Sequence, residues 1–152
     1  MQTLHNRTCV FAGAAAGDGT AAVEALLKGG MNVAVMTHQA GRANVLAEQL
    51  NARGYPGKCA VYEENGKGPA EKQTETYEAV EKQFGSVDVV ISNMGSLGRA
   101  NEPETVTSEE LMENISHLIC GAFDMAMTAL PFLKRSRAPR VILMTSVEGR
   151  GG

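Results

Sequence analysis

Cysteine is scarce in this 152-residue chain, and so are the features that would tie it to a membrane or to nucleic acid. The three cysteines, Cys9, Cys59 and Cys120, are odd in number, far apart and set in apolar segments, with no CxxC and no histidine at ligand spacing. That pattern makes neither a disulfide framework nor a metal site, so buried free thiols and no bound metal are expected. A formal net charge of −3 lacks the basic excess that a nucleic-acid or anionic-membrane surface needs. The apolar runs are too short to span a bilayer, and the start MQTLHNRTCVFAG lacks the charged head, apolar stretch and cleavage site of a secretory leader. The expectation is a cytoplasmic protein that engages no membrane and no nucleic acid. Internal repeats, low-complexity runs and linkers are missing as well.

What remains is a chain with 43% apolar residues, enough for a core, and of a length that predicts one domain over 1–152. Its periodicity alternates. Thr8 to Phe11 reads as a short strand, Ala21 to Lys28 as a helix and Asn32 to Thr37 as a second strand after the Gly29-Gly30 break. A helix over Arg42 to Arg53 and a strand over Lys58 to Tyr62 follow, then a polar loop over 63–70. Glu71 to Phe84 reads as a helix with Tyr77, Val80 and Phe84 as its buried stripe, and Val87 to Ser92 as the fourth strand. Thr107 and Glu110 fit a capping box at the start of a long helix towards Phe132, and Arg140 to Thr145 is strand five. Strands alternating with helices predict a parallel sheet covered on both faces, and the unbroken runs VDVVI and VILM agree.

Between strand one and helix one stand Gly13, Gly17 and Gly19. A glycine-rich turn at that place lets backbone approach a pyrophosphate and aims helix N–H groups at it. Dinucleotide folds that take NAD put an acid near the end of strand two to hold the ribose hydroxyls. Here that place reads MTHQAGR, which offers His38 and Arg42 and no acid, so NADP(H) is favoured over NAD(H).

These residues carry a resemblance. Gly13-x-x-x-Gly17-x-Gly19, the SNMG element with Asn93 and Gly95 after strand four, and MTSVEG after strand five resemble, in order, the motifs of the short-chain dehydrogenase/reductase family. The resemblance runs from about residue 8 to the end. It implies a three-layer, doubly wound Rossmann-type α/β sheet in the order 3-2-1-4-5, lacking the family's C-terminal strands and helices. It also implies hydride transfer between nicotinamide and a small carbonyl or alcohol substrate, with Ser146 as the donor that holds the substrate oxygen. The apolar VILM run and the long helix, both without a covering element in these residues, predict self-association as a homo-oligomer.

Several places depart from the family's pattern. Leu118 falls where a helix asparagine supports a relay water, leaving Asn114, one turn earlier, and His117 as displaced polar groups. Asp18 sits in the glycine loop beside the expected pyrophosphate, where it repels phosphate if turned inward or caps helix one if turned outward. Met94 replaces a smaller residue in the SNMG element. No Tyr-x-x-x-Lys follows Ser146, and Tyr55, Tyr62 and Tyr77 all lie in the first half. The expectation is therefore a chain truncated at its C-terminus and inactive by itself, with VILM an interior strand left at an edge. Two alternatives stand beside it: a non-catalytic NADP(H) sensor and another Rossmann-like nucleotide binder.

Overall fold

The computed structural model describes residues 4–14, 17–63, 70–95 and 103–146. Five strands, β1 (Thr8–Ala12), β2 (Asn32–Thr37), β3 (Cys59–Glu63), β4 (Val89–Ser92) and β5 (Arg140–Leu143), form one sheet in the order β3-β2-β1-β4-β5, every pair parallel. The expected order 3-2-1-4-5 is the observed one.

Strands β1, β2 and β4 are covered on both faces because alternate residues of each point opposite ways and both sets are apolar. Cys9, Phe11, Val33, Val35, Val89 and Ile91 meet Val23 and Leu27 of α1 (Asp18–Lys28) and Ala43, Ala47 and Leu50 of α2 (Ala40–Ala52). Val10, Ala12, Ala34, Met36 and Val90 meet Tyr77 and Val80 of α3 (Ala70–Phe84) on the other side. The same layer holds Met125, Ala129, Phe132 and Leu133 of α5 (Gly121–Leu133). Tyr77 is fully buried, donates to the Met125 carbonyl at 3.1 Å and stacks at a tilt on Phe132, 5.4 Å between centroids.

The strand entrances are stitched by one carboxylate. Asp88, buried just before β4, accepts from the Thr8 N–H at 2.9 Å, the Ser86 hydroxyl at 2.6 Å and the Ser136 hydroxyl at 2.6 Å. Burial alone would raise its pKa, but these three donors and the nearby Arg7 guanidinium outweigh it and hold the carboxyl below its ordinary value. Arg7 in turn donates to the Ala138 carbonyl, which brings the approach to β5 to the same knot.

Several expectations need correcting. Helix α1 starts at Asp18, three residues before Ala21, because the chain turns directly from Gly17 into the helix. The cap position is Gly17, with no side-chain cap, so Asp18 is an exposed first-turn acid and not an N-cap. Strand four begins at Val89, since the Asp88 side chain is committed to the knot. Cys9 and Cys59 are buried, and desolvation raises both thiols, Cys59 to about 11. Cys120 is exposed, against expectation.

The long helix is continuous but not regular: α4 (Ser108–Ile115) passes through a wide π turn at Ser116–Cys120 into α5. Taken whole, Ser108–Leu133 is long and apolar enough to cross a membrane by length and composition, which the short apolar runs of the sequence do not suggest, and 17% of its most apolar window is buried. β5 is the sheet edge beyond β4, and Arg140 to Leu143 are all exposed, as expected for an uncovered VILM run.

Candidate functional site

The chain runs from β1 outward to β3 and then returns to β4 on the opposite side of β1. At such a reversal the two crossovers leave in different directions, and a crevice opens beyond the C-terminal ends of the two central strands. Gly13 follows β1 there and Asn93 follows β4.

Their fit is close. Gly13 has φ +77°, and a Cβ at that residue would overlap the Asn93 carbonyl, so both backbone conformation and space require glycine. The Asn93 amide donates to the Gly13 carbonyl at 3.2 Å, and its backbone N–H donates to Ala12 at 2.9 Å. Gly19 closes the loop from the other side: a Cβ there would lie 2.5 Å from the Gly13 carbonyl oxygen. The Thr20 hydroxyl donates to the Ala14 carbonyl at 3.3 Å, pinning the loop to the first turn of α1. What results is a cradle of bare backbone at a helix N-terminus with no side-chain cap, the geometry that accepts a phosphate oxygen. The residues present therefore fit a dinucleotide pyrophosphate, with Asp18 as the one group of opposing sign in the first turn.

Other expected residues follow the C-terminal ends of the neighbouring strands. His38 lies exposed just past β2, and Arg42 is exposed in the first turn of α2, which holds no acid. The Gln39 N–H donates to the Thr37 hydroxyl at 3.0 Å, fixing the turn that carries His38. Gly95 is exposed after Asn93 and Met94. Ser146 is exposed beyond the C-terminal end of β5, whose backbone reaches Ser92 through Met144 at 2.9 Å. The glycine loop, Asn93 and Ser146 thus share one edge of the sheet.

Asn114 does not join them by any contact described: its amide donates to the Glu110 carbonyl of its own helix at 3.0 Å. Leu118 lies within the π turn, a feature the regular helical spacing of that segment conceals. Sequence reasoning also missed the packing of Met94, whose Sδ would lie 3.8 Å from a Cβ at Gly121, directly after that turn. Of the segment 96–104 only residues 103 and 104 are described, and Val147-Glu148-Gly149 lie outside the described residues. A shallow groove between α3 and α5 is lined by Thr74, Asp124, Met127, Thr128 and Pro131, none of them an expected site residue.

The comparisons with known proteins fit this geometry. The family described as short chain dehydrogenase matches residues 7–152. The 3-oxoacyl-(acyl-carrier-protein) reductase FabG of Staphylococcus epidermidis is 30% identical over 150 residues, covering 97% of this chain and 59% of that protein. A farnesol dehydrogenase of Aedes aegypti is 29% identical over 154 residues, covering 98% of this chain and 60% of the relative. A solved short chain dehydrogenase of Pseudomonas syringae superposes with a TM-score of 0.88 at 26% identity, covering 99% of this chain and 62% of that one. The chain thus spans about three-fifths of the length of the relatives it matches. On the glycine cradle, the sheet order and a match that runs nearly end to end, the chain belongs to the short-chain dehydrogenase/reductase family.

Proposed function

We propose that this chain is the cofactor-binding portion of a nicotinamide-dependent oxidoreductase acting on a small carbonyl or alcohol, and that it takes NADP(H) in preference to NAD(H). The observation that carries the reading is the cradle of Gly13, Gly19 and Asn93 at the helix N-terminus. When bound there, the nicotinamide supplies the hydride.

The chain's own residues bind and orient. Gly13, Gly17 and Gly19 bring backbone donors against the pyrophosphate, and Asn93 and Gly95 hold the β4 side of the crevice. His38 and Arg42 offer donors or cationic charge to a 2′-phosphate, and the absent acid at that place removes the group that would repel one. Ser146 offers its hydroxyl to the substrate oxygen, where negative charge develops during reduction. Asn114 stands one turn before the asparagine place taken by Leu118, on the same face of the long helix. No Tyr-x-x-x-Lys stands after Ser146 within these 152 residues. By themselves they are expected to bind dinucleotide without turning over substrate. The reading extends to a cytoplasmic protein that assembles as a homo-oligomer.

Thermal denaturation tests the cofactor. A ligand that binds only the folded state raises the midpoint, and tighter binding raises it further. NADPH is expected to raise it more than NADH at equal concentration, and Gly13→Val, which fills the cradle, is expected to abolish both shifts. No shift with either cofactor in the unsubstituted chain would end the proposal.

A further inference from the structure

Met94 and Gly121 are fitted to each other. Met94 follows Asn93 at the exit of β4 and is half-buried against the layer that holds α5. A Cβ at Gly121 would lie 3.2 Å from the Met94 Cε and 3.8 Å from its Sδ, so the end of the side chain rests on bare helix backbone. Gly121 has helical angles, φ −60° and ψ −43°, and its missing side chain therefore serves space and not conformation. Glycine inside a helix is unfavourable relative to alanine, and the seat for Met94 is what that cost supplies here.

The seat lies where the helix changes character. Gly121 directly follows the wide turn Ser116–Cys120, and no residue of Ser108–Cys120 is buried, whereas Met125, Ala129, Phe132 and Leu133 anchor α5. A segment with few buried contacts opens locally at low free energy, and a π turn within an α-helix is frequently a functional feature. On its other side Met94 is joined to the glycine cradle by one peptide bond. Asn93 donates its backbone N–H to the Ala12 carbonyl and its amide to the Gly13 carbonyl, the same oxygen that Gly19 leaves room for.

We propose, on the cofactor reading already given, that Met94 is a positioning residue that couples a dinucleotide in the cradle to the π turn of the long helix. A ligand shifts a local equilibrium only by preferring one of its states. Here the preference arises because the backbone at Asn93 that borders the cradle also sets where Met94 lies on Gly121. Occupancy fixes Asn93, Asn93 holds Met94 in its seat, and the turn is held closed.

Amide hydrogen exchange of the full chain, measured with and without saturating NADPH, tests the coupling. NADPH is expected to slow exchange at residues 116–121 about fivefold or more. Met94→Ala is expected to lose that slowing while its melting midpoint still rises with NADPH, and Met94→Leu, which keeps an apolar group in the seat, to retain most of it. Gly121→Leu, which fills the seat from the helix side, should lose it as Met94→Ala does. Unaltered protection at Tyr77 and Val80 of α3 would show that each variant is folded. A purely structural role would speed exchange with and without NADPH alike and leave their ratio unchanged. A raised midpoint with no slowing at residues 116–121, or the same slowing in Met94→Ala, overturns the coupling alone; an unmoved midpoint in the unsubstituted chain overturns the cofactor reading and the coupling with it.

Discussion

Gly13 is where one residue's chemistry reaches furthest, because its missing side chain serves both a left-handed backbone and direct contact with the Asn93 carbonyl. The sequence shows the glycine but not its partner, since residues 13 and 93 are joined only by strand order. Thr8 presents the opposite case. Its hydroxyl is buried without a hydrogen-bond partner while its backbone N–H serves Asp88. A buried hydroxyl left unpaired costs free energy, and valine has nearly the same shape. Thr8→Val is expected to stabilise the protein by about 1 kcal/mol, read as a higher urea midpoint with unchanged slope. A lower midpoint would mean that the hydroxyl has work unseen here. The cysteines mark a limit of reading residues singly: Cys9 lies in a central strand and is buried, whereas Cys120 sits in a segment equally apolar in sequence but on the bare side of a helix.

At the scale of elements, strands were more legible than helix ends. Thr8–Ala12, Asn32–Thr37 and Cys59–Glu63 lie within a residue of their expected bounds, because an unbroken apolar run admits little else in an alternating pattern. Helix α1 starts three residues early because Asp18, Gly19 and Thr20 read as turn chemistry although the backbone has already entered the helix. The π turn left no trace, since its five residues repeat the spacing of the helix around them. The capping box was legible and is present: the Thr107 hydroxyl accepts from the Glu110 N–H at 3.2 Å, and Glu110 returns to the Thr107 N–H at 3.2 Å. No residue of α4 is buried, so this cap carries unusual weight for the element. Thr107→Ala is expected to cost about 1 kcal/mol and to raise amide exchange in α4 while α5 stays protected. Equal exchange in both halves would show that they open as one unit.

For the whole molecule, acid response follows from the knot at the strand entrances. Asp88 is held below its ordinary pKa in the folded chain, so its contribution is full above the unfolded value near pH 4 and is lost as pH falls through the lower folded value. Asp88→Asn is expected to cost about 2 kcal/mol at pH 7, with the gap to the unsubstituted protein closing below pH 3. Denaturant melts at the two pH values read this directly, and a gap independent of pH would contradict it. The knot was not legible beforehand, since Thr8, Ser86, Asp88 and Ser136 are ordinary residues in sequence and meet only when β1, β4 and the approach to β5 align.

The same knot sets an order in time. Thr8 and Asp88 are 80 residues apart, and of the two neighbours of β1 in the sheet, β2 precedes β4 in the chain by more than 50 residues. As the chain leaves the ribosome, β1 to β3 with α1 and α2 can assemble as a half-sheet, while the far side of β1 waits with open hydrogen bonds. The slow event is then closure of a long loop, whose entropy must be lost before any contact rewards it. Until residues 86–92 arrive, the central strand of the finished protein is the exposed edge of the unfinished one.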